Sequence, residues 1–175
     1  MGRDMKPTSR SSRSRSLGRR TSGRAQRKDI IDPYQARQKL SEPTVCSKCG
    51  AVYRHGRWQW GHPTENAQAA RCPACRRIDD QLPAGVVTLH GAFAREHKTE
   101  IIGLAHNEEM AERGEHALNR IMGIQESEEG LIINTTDIHL PRRIGEAVKR
   151  AFHGTLDMQF DDASYFVRVD WRAPG

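Results

Sequence analysis

The chain has 175 residues, of which 36% are hydrophobic, and its mean hydropathy is −0.76. No apolar run approaches the ~20 residues needed to cross a bilayer, and residues 1–28 lack the apolar centre of a secretion signal. The composition therefore argues against a membrane-spanning or exported protein and predicts a cytoplasmic one. The length allows one domain of ordinary size together with a smaller unit.

Positive charge is concentrated at the amino-terminal end. Residues 1–28 contain ten of the 28 basic residues and one of the 22 acidic ones, which gives this segment a net charge of +9 and leaves −3 on the rest. So much charge with so few apolar residues predicts a disordered arm. Such an arm is typical of binding to nucleic-acid phosphates, with a solubilising tail as the alternative. The candidate contacts are Arg10, Arg13, Arg15, Arg19, Arg20 and Arg24.

The chain after the arm divides into four predicted parts. Residues 29–45 are interpreted as a docking segment, in which Pro33 at a first helical position predicts a short helix within residues 29–40. The other parts are a cysteine-bounded module, a linker and an α+β domain, at residues 46–78, 79–85 and 86–172.

The four cysteines form two C-x-x-C pairs, Cys46 with Cys49 and Cys72 with Cys75. Two residues between thiolates let one tight turn present both sulfurs to the same metal ion, and Gly50 suits the left-handed backbone of such a turn. Four thiolates make a closed structural zinc site. The sequence therefore predicts a zinc-ribbon-like module with one structural Zn²⁺. A rubredoxin-like iron site is a weaker alternative, and disulfides would need an oxidising compartment.

Basic and aromatic side chains accompany the cysteines. Trp58 and Trp60 share a face if they lie on a strand. We expect both rings to cover the zinc module or to pack it against the larger domain. A platform on which RNA bases stack is the alternative. Basic residues beside the cysteines either balance the formal −2 charge of Zn²⁺ with four thiolates or contact RNA. The RNA interpretation includes Arg54, Arg57, Trp58, Trp60, Arg76 and Arg77, and the charge-balance interpretation includes Lys48, Arg71, Arg76 and Arg77.

The α+β domain is predicted from alternating periodicities. Strands are expected at residues 86–90, 120–125, 130–137, 155–160 and 165–171. Helices are expected at residues 92–115 and 141–152, the second ending near Gly154. The resulting order, β-α-β-β-α-β-β, predicts the ferredoxin-like arrangement, with helices on one face of an antiparallel sheet.

The segment "TTDIHLPRRIG" at residues 135–145 has three interpretations. Asp137 and His139 form an acid–imidazole pair, but Asp137 more simply supplies hydrogen bonds to the start of a helix. Arg142 and Arg143 fall in the first helical turn, where the helix dipole disfavours cations and free N–H groups favour an anion. They are therefore candidates for a phosphate site, with local pairing to Asp137 or Glu146 as the alternative. No known catalytic motif occurs, so no catalytic residue is assigned.

Several separated segments, in order, resemble a known family: "DPYQARQKLSEPTVCSKCGAVY", "RWQW", "CPACRRI", "ALNRIMGI" and "TTDIHLPRRIGEAVKRAF". They look like short bacterial proteins labelled as affecting ribosome stability and mRNA decay (NMD). These are similar to the N-terminal half of the archaeal and eukaryotic export adaptor of the large ribosomal subunit. The resemblance implies a zinc module followed by an α/β domain, the four cysteines as metal ligands, and the ribosome or its RNA as partner.

The sequence thus predicts a non-catalytic zinc-binding protein that associates with ribosomal RNA or the large ribosomal subunit and affects ribosome stability, assembly or storage. A zinc-ribbon regulator of transcription that binds DNA is the alternative. A hydrolase using Asp137 and His139 is a third and weaker hypothesis. Neither a membrane nor a small-molecule substrate is predicted as a partner.

Overall fold

The computed structural model describes residues 31–35, 39–63, 65–161 and 163–175. The predicted arm lies outside these ranges, as do residues 36–38 of the predicted short helix. The described part contains two sheets and four helices, which confirms the α+β class. No helix within it is long and apolar enough to cross a membrane.

The first sheet consists of four three-residue strands: β1 (Thr44–Cys46), β2 (Val52–Arg54), β3 (Arg57–Gln59) and β4 (Gln68–Ala70). Their order is β3-β2-β1-β4, with β1 antiparallel to β2 and parallel to β4. Helix α1 (Pro73–Asp80) follows. The core of this unit is small: among the described residues of the unit, the buried apolar side chains packed with the cysteines are Ala51, Trp58 and Ala74. A core of this size is typical of units that need a metal ion to fold.

The docking segment and the linker are both fixed to α1. The Tyr34 hydroxyl donates to Asp80 Oδ2 (2.8 Å), and the buried Arg77 side chain donates to the carbonyl oxygen of Leu82 (3.2 Å). Because α1 extends to Asp80 and the next strand begins at Gly85, the connection is shorter than the predicted linker 79–85.

The second sheet has five strands: β5 (Gly85–His90), β6 (Ile121–Ser127), β7 (Gly130–Thr135), β8 (Thr155–Asp161) and β9 (Phe166–Arg172). Their order is β6-β7-β5-β9-β8. The two predicted hairpins are present as β6–β7 and β8–β9. β5 is antiparallel to β7 but parallel to β9. The sheet is therefore mixed, where an antiparallel sheet was predicted, because the last strand returns beside β5.

Three helices cover this sheet: α2 (Ala92–Glu96), α3 (Lys98–Arg113) and α4 (Leu140–Phe152). The helix predicted at residues 92–115 is interrupted at His97, whose ring stacks on Phe93 at 4.1 Å. The interruption lets Phe93 pack against Trp171 and Phe152 while α3 packs along α4. The core lies between α4 and the sheet, and Trp171 is fully buried in it.

Candidate metal centre

The two cysteine pairs lie on two different kinds of turn. Cys46 ends β1, and the turn after it is closed by hydrogen bonds from the Gly50 N–H to the Cys46 carbonyl oxygen (2.9 Å) and from the Cys46 N–H to the Ala51 carbonyl oxygen (2.7 Å). Gly50 has a φ of 77°, the left-handed conformation that the sequence predicts there. Cys72 caps the start of α1 and Cys75 lies in its first turn.

All four sulfur atoms lie within 4.8 Å of one another. Cys49 Sγ and Cys72 Sγ are 3.8 Å apart, and four sulfurs at about 2.3 Å from a central ion in a tetrahedron are about 3.8 Å apart. Cys46, Cys72 and Cys75 are buried and Cys49 is half-buried. The four thiols therefore form a compact site that can bind a metal ion.

The local electrostatics favour a thiolate at one position and oppose it at others. Burial disfavours ionisation of Cys46, but N–H groups of Cys72, Cys49 and Lys48 point at its sulfur and lower its pKa to about 6. Burial raises the pKa of Cys72 and of Cys75, and the neighbouring thiolates add to both shifts. Four adjacent thiolates repel one another, and a divalent cation at their centre removes that repulsion.

The basic residues nearest to the cysteines in sequence do not balance the charge of the thiolates. Lys48 and Arg71 both pair with Asp79. Arg77 is 3% exposed and donates to Asp32 Oδ1 at 2.5 Å, and Arg76 lies over the ring of Tyr34. Lys48, Arg71 and Arg77 thus contact carboxylates and not the sulfurs.

Arg120, which the sequence analysis overlooked, does contact the sulfurs. Its Nη2 lies 3.1 Å from Cys49 Sγ and its Nη1 lies 3.6 Å from Cys75 Sγ. Burial alone would lower the pKa of Arg120, but the hydrogen bond to Cys49 and the thiolate charges raise it. No local sequence pattern predicts this contact, because Arg120 lies before β6 of the other sheet, far from the cysteines in sequence.

The two tryptophans pack as the favoured interpretation predicts. Trp58 is 8% exposed and belongs to the core of the cysteine unit, so its ring is not available to stack on a base. Trp60 is half-buried, and the guanidinium groups of Arg113 and Arg120 lie 4.8 and 5.1 Å from its ring centre. Cations from α3 and from the segment before β6 therefore lie against the ring on which a base would stack.

The β2–β3 hairpin presents the remaining predicted cations of this unit. Arg54 and Arg57 face each other across it, and its turn residues His55 and Gly56 both have positive φ. Glu42 accepts hydrogen bonds from both turn N–H groups, at 2.8 and 3.0 Å, which holds the tip in place. Within the described ranges, no carboxylate lies within 4 Å of either arginine.

The segment at residues 135–145 serves the structure. Asp137 is 5% exposed, and its Oδ2 accepts hydrogen bonds from the N–H groups of His139 (2.6 Å) and Leu140 (3.1 Å) at the start of α4. Its carboxylate thus occupies the N–H groups that an external anion would need. The His139 side chain is exposed, and no hydrogen bond joins it to Asp137 within the described part of the chain, so the acid–imidazole interpretation has no geometric support.

The two arginines of this segment are already paired. Arg142 Nε lies 2.8 Å from Glu146 Oε1. Arg143 contacts Glu108 Oε2 at 3.0 Å and Glu112 Oε1 at 2.8 Å. Both arginines are therefore paired with carboxylates, and the Glu146 contact of Arg142 is the local pairing that the sequence predicts as the alternative to an anion site.

The remaining predicted contacts, Arg10, Arg13, Arg15, Arg19, Arg20 and Arg24, lie outside the described residues. Comparison of the chain with protein-family models, with curated proteins and with solved structures found no match.

Proposed function

We propose that the four-cysteine site binds one structural Zn²⁺. The observation that supports this is the set of four cysteine sulfurs within 4.8 Å of one another, since four thiolates complete the coordination of zinc whereas catalytic zinc keeps a position open for water. Bound at this position, the ion would join the β1–β2 turn to the start of α1 and fold the unit around its small core.

Metal analysis of the full chain purified without chelator tests this proposal. We expect one zinc per chain and no visible colour. A stoichiometric content of iron, with the absorption of iron–thiolate bonds, would replace zinc by the rubredoxin-like alternative. A metal content well below one per chain would contradict a structural metal of either kind.

We propose further that the protein binds ribosomal RNA, on the large ribosomal subunit as the family resemblance implies, and acts there without catalysis on ribosome stability, assembly or storage. The separation of charge carries this proposal, because the arm has a net charge of +9 and the rest of the chain −3. A strongly basic segment on a slightly acidic body is suited to a polyanionic partner.

Several of the predicted RNA contacts in the described part of the chain already pair with carboxylates, so fewer cations are available to bind phosphate. Arg77, Arg142 and Arg143 each have a carboxylate partner, and the two tryptophans are packed. The proposed contacts are therefore the arm together with the hairpin tip at Arg54 and Arg57, where the described residues offer no carboxylate partner. Arg76 lies instead over the Tyr34 ring. Glu42 fixes the backbone of this hairpin, so binding of phosphate has to order only the two arginine side chains.

Equilibrium binding to structured RNA and to duplex DNA, measured at several salt concentrations, tests the proposal. Each phosphate contact that is lost lowers the salt slope by roughly 0.7 to 0.9. Changing the six arm arginines to glutamine should therefore flatten the salt dependence steeply, and Arg54→Gln with Arg57→Gln should flatten it by about 1 to 2. The matched control is Arg142→Gln with Arg143→Gln, which removes the same charge from paired positions and should leave the slope unchanged.

Three results would change the proposal. An unchanged slope in the arm variant would remove the arm from RNA binding. Equal slopes for the hairpin variant and its control would remove the hairpin. Tighter binding to duplex DNA than to structured RNA at equal salt would favour the zinc-ribbon DNA-binding alternative.

A further inference from the structure

Arg120 joins the two units of the protein at the metal site. It lies between α3 and β6, outside the cysteine unit, yet its guanidinium group donates to one cysteine of each pair, Cys49 at 3.1 Å and Cys75 at 3.6 Å. Its Nε donates to the carbonyl oxygen of Ala117 (2.8 Å), which fixes the plane of the group. The planar guanidinium reaches the two sulfurs from two different nitrogens while its third nitrogen stays bonded to Ala117, and lysine has only one nitrogen for all three contacts.

The backbone of Arg120 is fixed from the other side by Thr136, which follows β7. The Thr136 hydroxyl accepts from the Arg120 N–H (2.9 Å) and donates to the carbonyl oxygen of Leu118 (2.6 Å). The Thr136 N–H donates to the Arg120 carbonyl oxygen (2.9 Å). Thr136 is 4% exposed, so these bonds are shielded from water and hold the 118–120 segment against the second sheet.

Apolar packing continues the connection. Ala117 is 1% exposed and belongs to the core of the cysteine unit although it lies after α3. The Trp60 ring lies under the guanidinium of Arg120 at 5.1 Å. Movement of the cysteine unit away from the second sheet would therefore separate Arg120 from the sulfurs, Ala117 from its neighbours, and Trp60 from both arginines.

We propose that Arg120 is a functional part of the metal site, and that it couples metal binding to the docking of the cysteine unit on the α+β domain. Zn²⁺ with four thiolates has a formal charge of −2, and a guanidinium at two of the sulfurs offsets part of that charge. Docking of the cysteine unit brings Arg120 to the sulfurs and so strengthens metal binding. Because coupling between two equilibria is reciprocal, metal binding strengthens docking by the same free energy. The inference rests on the proposed metal binding and is independent of RNA.

The zinc affinity of full-length variants, measured by competition with a chromophoric chelator, tests the first half of this inference. Groups that hydrogen-bond to metal ligands typically contribute 10–100-fold to affinity, so we expect Arg120→Gln to weaken zinc binding about 10-fold or more. Arg120→Lys keeps the positive charge but lacks the planar guanidinium, so its zinc affinity should lie between those of the wild type and Arg120→Gln. Arg113→Gln is the matched control, because Arg113 also lies over Trp60 without contacting a sulfur, and its affinity should equal that of the wild type.

Hydrogen exchange of the wild-type protein with and without zinc tests the second half and needs no variant to fold. Removing zinc should speed exchange of the Arg120 and Thr136 amides, while the Val169 amide in the centre of the second sheet stays protected. Equal zinc affinity of wild type and Arg120→Gln, or unchanged exchange at these two amides, would overturn the proposal. A wild-type protein that binds no zinc would instead refute the proposed metal site itself.

Discussion

Replacing Asp137 by alanine tests whether this buried carboxylate is the cap of α4. The change leaves the N–H groups of His139 and Leu140 without the oxygen that accepts them at 2.6 and 3.1 Å. An unsatisfied buried donor costs about 1–3 kcal/mol. The change also removes a desolvated charge, whose Oδ1 has no hydrogen-bond partner within the described residues, and this offsets part of the loss.

The loss of the two hydrogen bonds should outweigh the gain from removing the desolvated charge. Measured cap replacements cost about 0.5–2 kcal/mol, so we expect Asp137→Ala to lower the free energy of unfolding by about 1–2 kcal/mol. For a chain of this size, that corresponds to roughly 2–4 °C in Tm per kcal/mol. Asp137→Asn keeps an acceptor oxygen and removes the charge, so its loss should be smaller. His139→Ala is the control, since that side chain is exposed.

Urea denaturation, followed by far-ultraviolet circular dichroism, gives these free energies directly. An alanine variant as stable as the wild type would refute the cap, as would an asparagine variant less stable than the alanine one. Loss of stability in His139→Ala equal to that in Asp137→Ala would show instead that the two side chains act as a pair.

The pH dependence of the same measurement has a definite sign. Burial raises the pKa of Asp137 above its ordinary value, against the opposing effect of the two backbone hydrogen bonds. The native state therefore binds the proton more tightly than the unfolded chain does, and lowering the pH through the native pKa adds stability. Asp137→Asn cannot gain this stability, so on acidification the free energy of unfolding of the wild type should rise relative to that of the variant. A fall in the stability of the wild type relative to the variant at low pH would contradict the raised pKa of Asp137.

Three further predictions concern the metal site, a tight turn and the ion pairs of α4. Cys49→Ser should abolish stoichiometric zinc binding, because a hydroxyl is a poor replacement for a thiolate ligand; full zinc content in metal analysis would contradict the site. Gly154→Ala should cost more than about 1 kcal/mol in unfolding free energy, because Gly154 has a φ of 83° and an added Cβ would overlap the Arg172 carbonyl oxygen. Gly103→Ala in α3, where an added Cβ meets nothing within 4 Å, should instead be neutral or stabilising by about 0.5–1 kcal/mol. Arg143→Gln should lower the free energy of unfolding by about 1 kcal/mol or less without changing RNA affinity, and a loss of affinity would restore the anion-site interpretation.

Local patterns in the sequence predicted most of the fold, because the residues that determine each element lie close together in the chain. The alternation of buried and half-buried residues in β5 follows from its sequence, and both hairpins have short turns. The metal site was also predictable, since each C-x-x-C pair carries its own turn and only the meeting of the two pairs requires the fold.

The contacts that the sequence does not reveal join side chains that are distant in sequence. Arg120 is 45 and 71 residues away from the two cysteines that it contacts. Arg143 is 35 residues from Glu108, so a pair of apparently unbalanced cations in the first turn of α4 suggested an anion site. Phe93, which stacks on His97 at the break, likewise packs against Trp171 of the last strand.

The relation between the metal site and the α+β domain gives the "TTDIHLPRRIG" segment its role. Thr136 holds the backbone of Arg120, and Asp137 caps the helix that packs on the second sheet. One short segment thus supports both the metal site and the domain core. This arrangement gives the acid and the hydroxyl of the segment structural roles.

Sedimentation on a sucrose gradient tests the central proposal, association with the large ribosomal subunit, most directly. The full-length protein and the variant with glutamine at the six arm arginines are run in parallel with ribosomal subunits at low and at high salt. We predict that the wild type moves with the large subunit at low salt and is released at high salt, and that the arm variant is released at a lower salt concentration. A wild-type protein that stays in the top fraction at low salt would contradict the proposed association.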